Sequence, residues 1–135
     1  DALEWAAAID EKTKLMWAIN PNKTTDFPNP KKRMTWNDAM AWVSHVNKTG
    51  WCGYSNWRLP TIDELKILIT KEKQGDLCIC ADIFTDIKDW YYCVWSSSPV
   101  GYGSSSAWIV YFDLGNGHYR DKGDNEYVRL VRSSQ

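Results

Sequence analysis

Four cysteines, two histidines and several closely spaced carboxylates are the residues of this chain whose chemistry could be put to use. Cys52, Cys78, Cys80 and Cys93 are even in number, which in a small exported domain reads as disulfides. A zinc site needs two close ligand pairs, and Cys78-Ile79-Cys80 is the one close pair, at poor spacing. Positions 78 and 80 are also too near in an extended chain to bond each other comfortably. Four cysteines allow three pairings, and the expectation is that Cys78 and Cys80 each reach Cys52 or Cys93, with free buried thiols as the alternative.

The remaining groups do not assemble into a catalytic pattern. His45 falls at the edge of a helical apolar face, and His118 opens a strand with no cysteine or acid at ligand spacing. No H-x-x-H, H-E-x-x-H or G-x-S-x-G occurs. The serine runs 96–98 and 104–106 have no identifiable base, and turn or strand-end roles suffice for them. Asp63/Glu64, Asp82/Asp86 and Asp121/Asp124 are acidic pairs near turns, without the cleft and separation that glycoside chemistry requires. Trp36-Asn37-Asp38 is similar to the calcium-binding signature of sugar-binding C-type lectins. It stands at a helix start, however, and has no Glu-Pro-Asn or Gln-Pro-Asp companion. The expectation is a protein with no catalytic residues, no metal and no cofactor.

Arg58 poses a sharper question, in "GYSNWRLPTIDELKILI" at 53–69. It lies between Trp57 and Leu59, just outside a helix start whose dipole opposes a cation. Something must hold it: a carboxylate or backbone carbonyls, with a tryptophan face beneath the guanidinium. A structural clamp is the expected role rather than ligand contact.

The elements that must position these residues are legible from periodicity. Residues 4–19 suggest two strands joined by the polar turn Asp10–Lys14, followed by a proline-rich loop at 20–33. "TWNDAMAWVSHVNKTG" places apolar residues at 36, 39, 40, 43 and 46, an amphipathic helix with Thr35 as N-cap and Gly50 as stop. "TIDE" at 61–64 is a capping box that opens a second helix, with Ile62, Leu65, Leu68 and Ile69 on its apolar face. Short strands follow at 91–97, 107–113, 118–122 and 127–132, with "LGNGH" as hairpin glycines. In 107–113 both alternating faces are apolar, so that strand is central. The fold class is α+β: two helices packed on a twisted, mostly antiparallel sheet.

With 135 residues the chain is one domain, 1–135. Lys and Arg number 16 against 17 Asp and Glu, giving a net charge of −1. That balance offers no field for nucleic acid or an anionic membrane, and Lys31-Lys32-Arg33 reads as a solvated loop. No 18-residue apolar run exists to span a bilayer. Nine Trp and seven Tyr favour an irregular fold with a binding surface over a plain bundle. The chain opens on Asp1 with no leader pattern, which reads as a processed or excised piece.

"GYSNWRLPTIDELKILI" resembles the G-Y-S-D-W-R-L-P-T-x-x-E-L hallmark of the Legionella collagen-like protein C-terminal domain family. "TKLMW", "TWNDAMAWV", Trp95 to Ser98, Ala107-Trp108, Val110, Phe112, Gly115, Lys122, Tyr127 to Arg129 and Val131-Arg132 match its other blocks. The resemblance runs from about residue 9 to 132. It implies a C-type-lectin-like fold of the formylglycine-generating-enzyme type, export to the cell surface or beyond, and adhesion, with sulfated polysaccharides among the family's ligands. It also implies that the C-terminal frame serves in some members as the variable region of a diversity-generating retroelement.

The intervals of that frame hold Val100, Tyr102, Ser104, Ser105, Ile109, Tyr111, Asp113, His118, Tyr119, Arg120, Asp121, Asp124 and Asn125. On this reading they are the ligand-binding residues, with Trp108, Val110 and Phe112 packed inward and Ile109, Tyr111 and Asp113 facing outward. The partner is a protein or glycan on another surface, and a homotrimer is implied by family analogy. Tyr, Ser and Asn suit such a face, as they do antibody paratopes. The charge of −1 argues against strong binding of sulfated glycans. Gly117 stands where the family has an apolar residue, which is expected to loosen the hairpin. Two rival roles follow from the same resemblance. One is an assembly module of a surface fibre. The other is an enzyme of the formylglycine-generating kind, whose copper-binding cysteine pair Cys78, Cys80 and Cys93 do not reproduce.

Overall fold

The computed structural model describes residues 6–19, 33–75, 77–80, 82–84, 87, 92–101 and 104–134. In chain order the strands and helices are β1 (Ala7–Asp10), β2 (Leu15–Ala18), α1 (Trp36–Thr49) and α2 (Ile62–Ile67). Strands β3 (Cys93–Pro99), β4 (Ser106–Tyr111), β5 (Asn116–Asp121) and β6 (Val131–Ser133) follow. The Asp10–Lys14 turn folds β1 back on β2, with Ala7 opposite Ala18 and Asp10 opposite Leu15. Asp10 Oδ1 accepts from the Lys12 N–H at 2.9 Å, the local bond that favours Asp in turns. The other edge of β2 takes β6, so the two ends of the chain close one sheet.

Both helices start as their sequences dictate, and α1 also stops so, whereas α2 ends at Ile67, short of the expected face residues Leu68 and Ile69. Thr35 Oγ1 accepts from the Asp38 N–H at 3.2 Å, and Gly50 ends α1 in the left-handed region at φ 66°. Thr61 Oγ1 accepts from the Glu64 N–H at 3.2 Å while Glu64 Oε1 accepts from the Thr61 N–H at 2.8 Å, a complete capping box.

The antiparallel sheet β3-β4-β5 lies between two apolar clusters. Ala107, Ile109 and Tyr111 of β4 join Ala39, Val43 and Val46 of α1 with Trp51, Trp57 and Trp95. Val110 and the following Phe112 join Leu65 of α2 with Trp17, Val94 and Val131. Strand β4 is central and buried on both faces, as its two apolar faces require. Buried indoles keep their N–H groups satisfied: Trp57 Nε1 donates to Trp51 O at 3.0 Å and Trp95 Nε1 to Met34 O at 2.9 Å.

Arg58 is a clamp. Its Nη1 and Nη2 donate to Glu64 Oε1 and Oε2 at 2.6 and 2.7 Å. The same carboxylate therefore caps α2 and fixes the chain entering it. The Arg58 hydrogen bonds hold Glu64 below the usual carboxylate range, helped by the Thr61 backbone. The backbone of Arg58 pairs with Val131 of β6 in both directions, at 2.9 and 3.0 Å. A carboxylate rather than a tryptophan face supplies the hold. Stacking of a guanidinium on an aromatic ring occurs instead at Arg132, whose Cζ lies 3.6 Å from the Tyr54 centroid. Buried Arg129 donates to Ala18 O at 2.6 Å and to the Tyr92 hydroxyl at 2.8 Å, joining the last segment of the chain to β2.

Three expectations need correction. The strands form two three-stranded sheets rather than one. Of the expected strand at 127–132 only 131–132 enters a ladder, as part of β6, because the segment crosses between sheets. Glu126 bridges Met34, Tyr127 bridges Val94 and Val131 bridges Arg58, so no neighbour is kept for long. The cysteines, finally, form no disulfide with one another. Cys52 is exposed in the turn after α1, Cys93 is buried in β3 opposite Tyr111, and buried Cys78 lies beside Gly115 of the β4–β5 turn.

Candidate functional site

Strand β5 is the exposed edge of the second sheet, and its sequence explains why. In β4 every second residue on each face is apolar, whereas "NGHYRD" has no aliphatic side chain to bury. The register puts Ala107 opposite Arg120, Ile109 opposite His118 and Tyr111 opposite Asn116, on the α1 side of the sheet. Trp108 opposite Tyr119 and Val110 opposite Gly117 lie on the α2 side.

The side chains of β5 form one connected aromatic and cationic surface. Tyr119, 51% exposed, meets Trp108 edge-on at 5.8 Å and stacks on His118 at 5.1 Å. His118 in turn contacts Tyr111 at 5.7 Å, and Arg120 Cζ lies 4.9 Å from the Tyr111 centroid. At the end of the strand, Lys122 Nζ sits 4.3 Å from the ring of Trp36. Such ring and cation contacts fix side chains without closing them off from solvent.

The thirteen residues expected to bind ligand are distributed unevenly. Ser105, His118, Tyr119, Asp121, Asp124 and Asn125 are exposed, and Val100, Ser104, Asp113 and Arg120 are half-buried. Tyr102 lies outside the described residues. Ile109 does not face outward: it is 0% exposed, and Tyr111 on the same face is 9% exposed. Alternation along a strand gives solvent to one face only when nothing packs on that face, and here α1 and its tryptophans do. Ile109 is therefore a core residue, and Tyr111 reaches the surface only as the ring under Arg120 and beside His118.

Ser105 and turn 121–125 meet at one end of the hairpin, where Lys122 N–H donates to Ser105 O at 2.8 Å. Asp113 stands at the other end, beyond Tyr111, with its Oδ1 buried and without a hydrogen-bond partner. Gly117 pairs in register with Val110, and a Cβ there would stand 3.0 Å from Cε of the flexible Lys66 side chain.

The position that sequence reasoning missed is Glu126. Its side chain is 6% exposed, and Oε2 is buried with no hydrogen-bond partner. Burial pushes its carboxyl up to about 7, against the lowering influence of Arg120 and Arg33. Its backbone is fixed by reciprocal bonds with Met34 at 2.9 and 3.0 Å. An acid next to the apolar run at 127–131 gives no sign in sequence that it is turned inward.

The polar groups near this surface among the described residues are engaged as follows. Three serines of the two runs make structural bonds: Ser96 Oγ donates to Trp108 O at 2.7 Å, and Ser98 Oγ accepts from the Ile62 N–H at 3.1 Å. Ser104 Oγ accepts from the Ser106 N–H at 3.0 Å. His118 stacks on Tyr119 with Nδ1 3.1 Å from the Tyr119 carbonyl, and no group of three metal-ligating side chains gathers among the described residues. No helix among them is long and apolar enough to cross a membrane. Compared with known proteins, the chain matches the family model described as the Lcl C-terminal domain over residues 6–132. No curated protein matches it.

Proposed function

The chain belongs to the Lcl C-terminal domain family, and from that premise we propose that it is a non-catalytic, exported recognition domain. It binds a protein or glycan partner on another surface through β5, the adjoining Ser104 and Ser105, and turn 121–125. The observation that carries this reading is the His118–Tyr119–Arg120 surface, presented on an edge strand whose neighbour β4 is locked between two cores. Tyr and Trp offer large contact area at low entropic cost, and a rigid support spares the ordering cost of binding.

The same division supports exchange of interval residues within a fixed frame. His118, Tyr119, Asp121, Asp124 and Asn125 can be replaced without opening the core, whereas Ile109 and Tyr111 cannot. A reverse transcriptase gene beside this one, with an asparagine-rich near-copy of residues 90–132, would be the mark of retroelement diversification. Its absence would restrict the proposal to a fixed specificity.

The test of binding uses a glycan and host-protein array with the purified domain. The triple variant His118→Ala, Tyr119→Ala, Arg120→Ala removes the surface while sparing buried Tyr111. It should lose at least tenfold in affinity for whatever the parent captures, at a nearly unchanged melting temperature. Undiminished capture by that variant overturns the assignment of the face.

A further inference from the structure

Strand β5 presents a backbone edge as well as a face. In an antiparallel ladder alternate residues direct both N–H and C=O to the same neighbour. Lys122 N–H donates to Ser105 O at 2.8 Å, one step beyond the Asp121–Ser106 pair, so the even-numbered residues of β5 are the ones bonded to β4. Gly117, Tyr119 and Asp121 therefore turn their N–H groups away from the sheet, and Gly117 and Tyr119 their carbonyls too. The Tyr119 carbonyl bears this out, since its contacts are flanking side chains, His118 Nδ1 at 3.1 Å and Arg120 Nη1 at 3.3 Å. No strand lies beyond β5 among the described residues.

Exposed edges are commonly blunted by a proline or a bulge. Strand β5 has neither: "NGHYRD" pairs with β4 without a register shift. Its two sides differ in chemistry. On the α1 side Arg120 and Lys122 stand two residues apart, about 7 Å along the strand. Each lies across a ring, Tyr111 at 4.9 Å and Trp36 at 4.3 Å, and ring faces leave N–H groups over for an anion. On the α2 side half-exposed Tyr119 offers an aromatic surface, and the Asp121 carboxylate is engaged by the Gly123 N–H at 2.7 Å.

We propose that β5 takes up an extended acidic peptide as a fourth strand of its sheet. The peptide main chain bonds to Gly117, Tyr119 and Asp121. Alternate carboxylates then face Arg120 and Lys122 at the positions between those bonds, where opposed side chains approach most closely. Residues in between are β-branched or aliphatic and lie against Tyr119. The inference rests on the recognition reading above and narrows its partner from protein or glycan to a peptide. Only a peptide backbone repeats a donor and an acceptor at the spacing of this edge.

The probe is a synthetic heptapeptide of alternating glutamate and valine, blocked at both ends and added to the whole domain. At saturation, amide exchange followed by NMR should slow by about tenfold or more at Gly117, Tyr119 and Asp121. A copy N-methylated at every valine keeps the charges but cannot pair, and should leave those amides at their free rate. Lysine in place of glutamate should weaken binding about tenfold, the scale of two opposed charge pairs turned repulsive. Unslowed exchange at the three amides, full binding by the N-methylated copy, or equal affinity of the lysine peptide overturns the proposal. So does a heparin oligosaccharide that binds this face when the acidic peptide does not, a result that leaves the recognition reading standing. That reading fails on a different result, undiminished capture by the triple variant.

Discussion

Replacing Glu126 by glutamine should make the protein more stable at pH 8 and leave it nearly unchanged at pH 5. The carboxyl titrates at about 7 in the folded chain, against an ordinary value of 4.5. A raised acid pKa means that the folded state binds the proton more tightly than the unfolded state does. The parent should therefore lose stability as pH rises through the interval from 4.5 to about 7, and level off above it. At about 1.4 kcal/mol per tenfold difference in proton affinity, the full loss is about 3.5 kcal/mol. Residual solvent access to the carboxylate screens its charge and reduces this to about 2 kcal/mol. Glutamine keeps the volume and cannot ionise, so the variant should lack this part of the pH dependence. Urea unfolding of both proteins at pH 5, 6, 7 and 8 reads the difference directly, with the pair sharing every other titrating group. At pH 8 the variant should gain about 6 °C in melting temperature for a domain of this size. Equal pH dependence in parent and variant, or a variant less stable at pH 8, would refute the argument that the buried carboxyl is unmatched.

Glu64→Gln breaks the charged clamp on Arg58 while keeping half of the capping box, and should cost about 1 kcal/mol at pH 7, since the Arg58 side chain is 41% exposed. Because Glu64 titrates below its ordinary value, that difference should vanish as pH falls below 4.5, which acid denaturation will show. Two glycines of one hairpin should behave oppositely. Gly115→Ala forces a side chain into φ 74° with its Cβ 3.1 Å from Cys78 Sγ and should cost about 2 kcal/mol. Gly117→Ala meets only the movable Lys66 stem and should be neutral or stabilise by about 0.5 kcal/mol, measured by the same melts. A thiol reagent should modify Cys52 quickly in the native protein, Cys80 more slowly, and buried Cys78 and Cys93 only on unfolding. A non-reducing mass that shows paired cysteines would contradict this.

Local structure was legible because its causes are local. The Thr35 and Thr61 caps, the Gly50 stop, the polar turn at 10–14 and the doubly apolar strand at 107–111 each depend on residues within a turn or two of one another. Arg58 was legible for the same reason: its partner Glu64 is six residues away, at the helix start that made the cation conspicuous. The match to the family model over 6–132 agrees with the frame residues read from sequence.

What tertiary structure alone decided concerns which groups meet across long stretches of chain. Whether Ile109 faces solvent depends on α1 and its tryptophans lying over that side of the sheet. That β6 pairs with β2, more than 110 residues away, divides the strands into two sheets. The same separation governs the cysteines, whose even count says nothing of whether the folded backbone brings two sulfurs within bonding reach. Glu126 is the clearest case. Its type and neighbours in sequence suit a surface turn, and only its bridge to Met34 and the approach of Arg33 and Arg120 turn it into a buried acid. Caps and periodicity are short-range free energies that one segment expresses alone, whereas burial and charge pairing are properties of the assembled interior.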